Sequence, residues 1–313
     1  MKKLAILISM VGMFVHAWAQ DPQFSQYFAA PLYLNPAFAG TDSCARLGVN
    51  YRNQWPNIEG QFITYSLAYD MHINPLHSGF GVLVLKDKSG SGTIDNTNIS
   101  GIYSFQQHIY KELNMSIAIQ GAYFKENLDW SKIIGDTIYS GPAGPDPIYP
   151  PVKTDGSVFD LTGAMELYTN NFYGGISVAH LTQPIFDFGY YYSTQLAVKY
   201  TFNAGAMLPL DNSNSTYLSP NIIIIAQDNF HQTNLGLYIQ HKALAGGVNY
   251  RWGDAIIATL GIQLWGFKLG YNYDATVSKL ANAAGGAHEM SLGYRFHAKP
   301  KNEGFQPIVC PSF

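Results

Sequence analysis

Ala45-Arg46-Leu47-Gly48-Val49-Asn50-Tyr51-Arg52 decides how the chain folds. Apolar residues take every second position, and Arg, Gly, Asn and Arg take the others. That is the two-residue period of a β-strand with one greasy and one polar face. The same period recurs downstream. Ile63, Tyr65, Leu67 and Tyr69 alternate with Thr64, Ser66, Ala68 and Asp70. Phe267, Leu269, Tyr271 and Tyr273 alternate with Lys268, Gly270, Asn272 and Asp274, and Met290, Leu292, Tyr294 and Phe296 alternate with Ser291, Gly293, Arg295 and His297. About fourteen such segments follow one another, each near the roughly 9–11 residues that a tilted strand needs to cross a bilayer. The expected spans are 45–52, 61–70, 79–86, 97–107, 113–124, 157–168, 172–181, 191–203, 216–226, 230–241, 243–252, 254–264, 266–275 and 288–297. An even number returns the chain to its starting side.

Composition agrees with that reading. Only 12% of the 313 residues are charged, against roughly 25% in an ordinary soluble domain. Hydrophobic residues reach 47%, with 22 Tyr and 18 Phe. After the amino terminus no apolar run approaches the roughly 18 residues of a spanning helix. A soluble β-sandwich would carry charge on its outward positions and use shorter strands. Here the polar partners are mostly Gly, Ser, Thr, Asn and Gln, which suit a crowded or wet lumen. The net charge of −3 leaves no basic surplus for nucleic acid. The expected fold is all-β: a closed antiparallel transmembrane β-barrel of the outer-membrane type.

Four regions follow. Residues 1–19 form a signal peptide, with Lys2 and Lys3 before an apolar run and Ala17-Trp18-Ala19 as a small-x-small cleavage site. Residues 20–44 are an amino-terminal periplasmic or lumen segment, 45–297 the barrel, and 298–313 a periplasmic tail. With a periplasmic amino terminus, the connections 53–60, 87–96, 125–156, 182–190 and 276–287 face outward, and tight turns such as Thr169-Asn170-Asn171 face the periplasm. The longest loop holds Gly141-Pro142-Ala143-Gly144-Pro145-Asp146-Pro147 and Pro150-Pro151. Such a stretch cannot make a regular ladder; it reads as either a polyproline-like surface feature or a disordered tip.

Several residues stand out. Arg52 ends the first strand, Glu289 begins the last and Asp274 ends its neighbour, all on the polar face and near one rim. They are expected to pair and to set register and closure. Phe24, Tyr27, Phe28, Tyr33 and Phe38, with Asn35 and Pro36 beside them, form an aromatic strip that has to bury somewhere: in the lumen, at the barrel mouth, or against a partner. Cys44 and Cys310 flank the barrel on the same side, in an oxidising compartment where a disulfide can persist, and are expected to bond to each other; the alternative is that Cys310 stays reduced or bonds a partner.

Catalytic signals are weak. His72 and His77 are close, but no Cys or carboxylate completes a metal site. Ser177 with His180, and Ser291 with His288, are chance-level pairs for a nucleophile and base. No phosphate-binding Gly loop occurs. No cofactor, metal or catalytic residue is assigned.

The ordered blocks Gln20-Asp21-Pro22-Gln23-Phe24-Ser25-Gln26-Tyr27-Phe28, Pro31-Leu32-Tyr33-Leu34-Asn35-Pro36-Ala37-Phe38-Ala39-Gly40, Tyr51-Arg52-Asn53-Gln54-Trp55, Thr64-Tyr65, Tyr69-Asp70, Gly79-Phe80-Gly81, Tyr271-Asn272-Tyr273-Asp274, His288-Glu289 and Cys310-Pro311-Ser312-Phe313 together resemble the PorP/SprF family of outer-membrane proteins. The family is linked to type IX secretion and gliding in Bacteroidetes. The Pro-rich loop departs from it, as does Ala287 where Thr is expected before His288. The resemblance implies a non-enzymatic barrel in the outer membrane. Its implied partners are lipid, type IX secretion components, a large secreted adhesin with a carboxy-terminal sorting domain, and a periplasmic peptidoglycan-binding protein. The alternative is a channel for a small or apolar solute.

Overall fold

The computed structural model describes residues 21–42, 44–73, 76–129, 132, 140, 141, 144, 145, 154–188, 193–278 and 285–296. Fourteen antiparallel strands form a closed ring: β1 (Arg46–Gln54), β2 (Phe62–Ile73), β3 (Ser78–Ser89), β4 (Ile94–Tyr110), β5 (Leu113–Leu128), β6 (Asp155–Tyr168), β7 (Phe172–Ala179), β8 (Lys199–Ala206), β9 (Thr216–Gln227), β10 (Phe230–His241), β11 (Leu244–Arg251), β12 (Ala255–Leu264), β13 (Phe267–Thr276) and β14 (Ala287–Arg295). Each strand pairs with its sequence neighbours. The ring closes where β1 meets β14, in register from Arg46 opposite Arg295 to Gln54 opposite Ala287. Closure leaves no sheet edge whose unpaired backbone groups would cost several kcal/mol each in hydrocarbon.

The period-2 pattern resolves into two faces. Asn50, Arg52, Ser66, Asn272, Asp274, Glu289 and Ser291 are buried toward the lumen. Leu47, Val49, Tyr51, Leu292 and Tyr294 alternate with them on the outer face, and Phe296 is exposed just past β14. The short hairpins obey local turn chemistry. Trp265 and Gly266 both take positive φ, 50° and 88°, as a two-residue type I′ turn demands.

Two rims result. The long-loop rim carries the connections after β1, β3, β5, β7 and β13; the opposite, short-turn rim carries tight links such as Lys242-Ala243 and Trp265-Gly266.

Several expected spans need correction. β4 and β5 are longer than a membrane crossing needs, at 17 and 16 residues. The span expected at 191–203 is two structures. Ser193–Gln195 folds back on Ile185–Asp187 as a small hairpin, and the barrel strand begins only at Lys199. Phe186, Phe188 and Leu196 cause this, because they bury together against Phe124, Leu128 and Val158 on the inner wall of β5 and β6. The hairpin therefore turns into the long-loop mouth. In the Pro-rich loop, Ser140 and Gly141 pair with Pro145 and Gly144, a minimal ladder where none was expected; most of that loop lies outside the described residues, as do residues 1–20, including the expected signal peptide, and the tail 297–313.

Candidate functional site

Residues 21–42 run through the lumen from the long-loop mouth to the short-turn mouth. Phe24, Tyr27, Phe28, Asn35, Pro36 and Phe38 are buried, and Tyr33 is half-buried. Pro31–Leu34 makes a single helical turn, and Pro36–Phe38 a 3₁₀ turn whose first N–H groups are served by Asn35: its Oδ1 accepts from the Ala37 N–H at 3.0 Å. Proline at the head of each turn fixes φ where a donor would be unpaired anyway.

Three polar clusters hold the segment. The first is at the seam. Arg52 lies 2.9 Å from Asp274 and 3.1 Å from Glu289, so the three charges read from the sequence stand together in the structure. Two members were not foreseen. Arg251 reaches Asp274 at 3.3 Å. Ser25 sits at the centre: its Oγ accepts from Arg52 at 2.7 Å and from Arg251 at 2.6 Å, and donates to Asp274 at 2.6 Å. Glu289 accepts the Ser25 N–H on one oxygen at 2.6 Å and the Gln26 N–H on the other at 2.9 Å. Burying two cations and two carboxylates is tolerable only because each finds partners.

The second cluster grips the middle. Asn35 Nδ2 donates to Glu166 Oε2 at 2.8 Å, and Asn203 Nδ2 donates to both oxygens of the same carboxylate at 2.9 and 3.0 Å. Near the short-turn mouth the wall binds main chain. Ser116 and Ser104 donate to the carbonyls of Ala37 and Ala39 at 2.7 Å each, and Arg46 donates to that of Phe38 at 2.8 Å. Asp70 accepts the Gly40 N–H at 2.8 Å.

The third cluster clasps the leading end. Asp21 pairs with Lys199 and with His180 Nε2, 3.0 Å away. The other ring nitrogen lies 2.9 Å from Asp160, so the imidazole is held between two carboxylates. Burial alone would lower the His180 pKa; Asp21 and Asp160 outweigh it and push the group up to about 9. Burial likewise favours protonated Asp21, but Lys199 and His180 prevail and hold its carboxyl well below the usual range. Cavities of about 20 and 40 Å³ beside the segment have room for a few waters.

Of the two Ser–His pairs, Ser291 and His288 separate. Ser291 faces the lumen and donates to Gln26, while His288 bonds Tyr271 on the outer face. His180 is occupied by carboxylates. Among the described residues no group of His, Cys, Asp and Glu forms a metal cluster. Cys44 is half-buried just before β1; Cys310 lies outside the described residues.

A family profile described as "Type IX secretion system membrane protein PorP/SprF" matches residues 17–294. The chain belongs to the PorP/SprF family. This PorP/SprF chain is thus a secretion-related outer-membrane barrel, and its family is not an enzyme class. No curated protein matches it. Among solved structures it is similar to the toluene transporter TbuX of Ralstonia pickettii, at 10% identity over 86% of this chain and 94% of that one, with a TM-score of 0.49. It is also similar to the monoaromatic hydrocarbon channel CymD, at 12% identity over 86% and 93% with a TM-score of 0.47, and to the toluene transporter TodX of P. putida, at 8% over 85% and 93% with a TM-score of 0.46.

Proposed function

We propose that this barrel works by protein–protein contact in type IX secretion, holding or passing a large secreted protein such as an adhesin at the cell surface. The observation that carries the reading is the lumen segment. Tyr27, Phe28 and Phe38 pack on Tyr168, Tyr173, Ile223 and Tyr238 of one wall and Phe24 and Leu32 on Leu85 and Leu83 of another, and hydrogen bonds to backbone and side chains fix the segment at both mouths and in the middle. A solute channel needs a path between the mouths, whereas a docking barrel needs only its rims and outer wall. On this reading the loops beyond the long-loop rim face the cell exterior. Cargo with a carboxy-terminal sorting domain, other secretion components and a periplasmic peptidoglycan-binding protein are the partners it implies, and gliding is the process an anchored adhesin would serve.

Deletion of the gene followed by surface and medium proteomics tests the role. A large surface protein released into the medium or retained inside supports it. An unchanged surface proteome with altered solute uptake would favour the channel instead. Cysteine labelling on intact cells tests orientation: label should reach the loop between β5 and β6, and labelling of Thr169–Asn171 instead would reverse the assignment.

A further inference from the structure

Lys86, Lys88 and Lys125 are the only Lys or Arg side chains that described strand residues place on the outer face of the barrel. The other strand cations, Arg46, Arg52, Lys199, Arg251, Lys268 and Arg295, alternate onto the lumen side. The three outer lysines are close together. Lys86 stands opposite Thr97, and Thr97 opposite Lys125, so two ammonium groups flank one threonine across β3, β4 and β5. Lys88 lies one rung nearer the long-loop rim. Lys86 pairs with Asp95 at 3.2 Å and Lys125 with Asp155 at 3.4 Å. Three cations against two carboxylates leave the patch positive.

The same strands carry an apolar groove. Gly101 and Gly121 are register partners on the outer face, in the same row as Val82 and Leu161. A Cβ built on either glycine meets nothing within 4 Å. The floor is therefore bare backbone, between walls made by Tyr69, Phe80, Tyr103 and Ile119, and the groove holds about 530 Å³. Glycine inside a strand gives up packing and costs entropy, and it often marks a place where a ligand approaches the backbone closely. Thr97 and Gly101 are four residues apart along β4, which separates the cations from the groove by about 13 Å.

We propose that Lys86, Lys88 and Lys125 with the Gly101–Gly121 groove form a binding site for one anionic phosphorylated lipid. The ammonium groups take the phosphate, and an acyl chain lies on the glycine floor. The charge identifies the occupant. An apolar transmembrane helix would fill the groove but leave the surplus positive charge unmatched, while a phosphate-bearing amphiphile matches both parts at the observed spacing. The site goes beyond the secretion role and does not depend on it.

The test folds the full-length protein into phosphatidylcholine vesicles and adds chain-spin-labelled phosphatidic acid, with chain-labelled phosphatidylcholine as reference. Each lysine near a membrane surface is worth about fivefold in attraction for anionic lipid. With Asp95 and Asp155 offsetting part of this, the wild type should prefer phosphatidic acid about tenfold. The triple variant K86Q/K88Q/K125Q should fall to about twofold or less. Gly101→Leu should fill the groove and lower immobilisation of the labelled chain. Gly121→Ala, whose added methyl meets no neighbour, is the milder second variant, and unheated gel migration verifies the barrel in each. Absence of preference in the wild type would overturn the site. So would a preference that both glycine variants leave intact, because the attraction would then be charge without a built groove. A polypeptide that co-purifies with the wild type and is stripped by Gly101→Leu while lipid preference stays unchanged would also overturn it.

Discussion

Arg52 and Glu289 are cross-strand partners in the closing seam and an ion pair 3.1 Å apart. The pair joins the first strand to the last, and Ser25 inserts between it and Arg251. Closure of the ring and docking of the lumen segment therefore use the same atoms.

Removing Arg52 should uncouple both. Arg52→Ala leaves Glu289 fully buried with only the N–H groups of Ser25 and Gln26, and any water that reaches the gap, to donate to it. Loss of one partner from a buried pair costs about 3–5 kcal/mol. The urea midpoint of the unheated gel-mobility shift should drop accordingly. Lys132→Ala, which removes an exposed pair with Asp129, should change it by less than about 1 kcal/mol. Equal effects would show that the seam pair has no special weight.

Gly79 makes the short-turn end of the lumen segment possible. A Cβ there would lie 2.1 Å from the Ala39 carbonyl oxygen, which is backbone and cannot swing away. Gly40 meets it from the other side, at φ 64°. Gly79→Ala should displace residues 37–40 and cost about 1–3 kcal/mol, while the ring of strands stays intact. Planar-bilayer recordings should then show conductance that the wild type lacks. A silent Gly79→Ala barrel with normal gel mobility would mean that the segment closes the lumen without this contact.

The strands were legible because alternation is written in most of them, the unbroken Ile222-Ile223-Ile224-Ile225 of β9 being a plain exception. The seam triad was legible for a related reason: Arg52, Asp274 and Glu289 sit at strand ends, share a face, and become neighbours once the ring closes. Arg251, the last residue of β11, shares that face and height and is readable on the same ground. Ser25, Glu166 and His180 were not legible. The lumen segment has no period to fix its register against the wall, and an inward Glu166 looks like any other polar residue in an alternating strand. The 185–196 hairpin misled for a local reason, since a strand that folds back keeps the same period as one that continues.

Cys44 stands at the short-turn rim, where the expected bond to Cys310 would staple the tail beside the seam. The loop it closes spans nearly the whole chain, for which the chain-entropy account gives about 4–5 kcal/mol. Titration of unfolded, unreduced protein should find no reactive thiol. Two thiols per chain would rule the bond out.

The clasp at the long-loop mouth should be pH-dependent, with the sign set by its two titrating groups. His180 has its folded pKa raised to about 9, so its contribution is complete below the ordinary histidine range near 6.5 and is lost as pH rises through about 9. Asp21 is depressed, so its contribution is present above the ordinary value near 3.9 and weakens as pH falls below it. Lys199, Asp160 and Tyr33 face the same atoms; Lys199 stays charged across that window and keeps part of the clasp when His180 deprotonates. Docking of the leading end should therefore be firmest between about pH 4 and 6.5 and weaken progressively toward about pH 9. A fluorophore on Gln23→Cys in a Cys44→Ser/Cys310→Ser background should report increased mobility above about pH 9. In His180→Gln the mobility should be raised at neutral pH and lose its alkaline step. An alkaline step that persists in His180→Gln would assign it to another group, and a flat wild-type profile would mean that the clasp does not limit the segment.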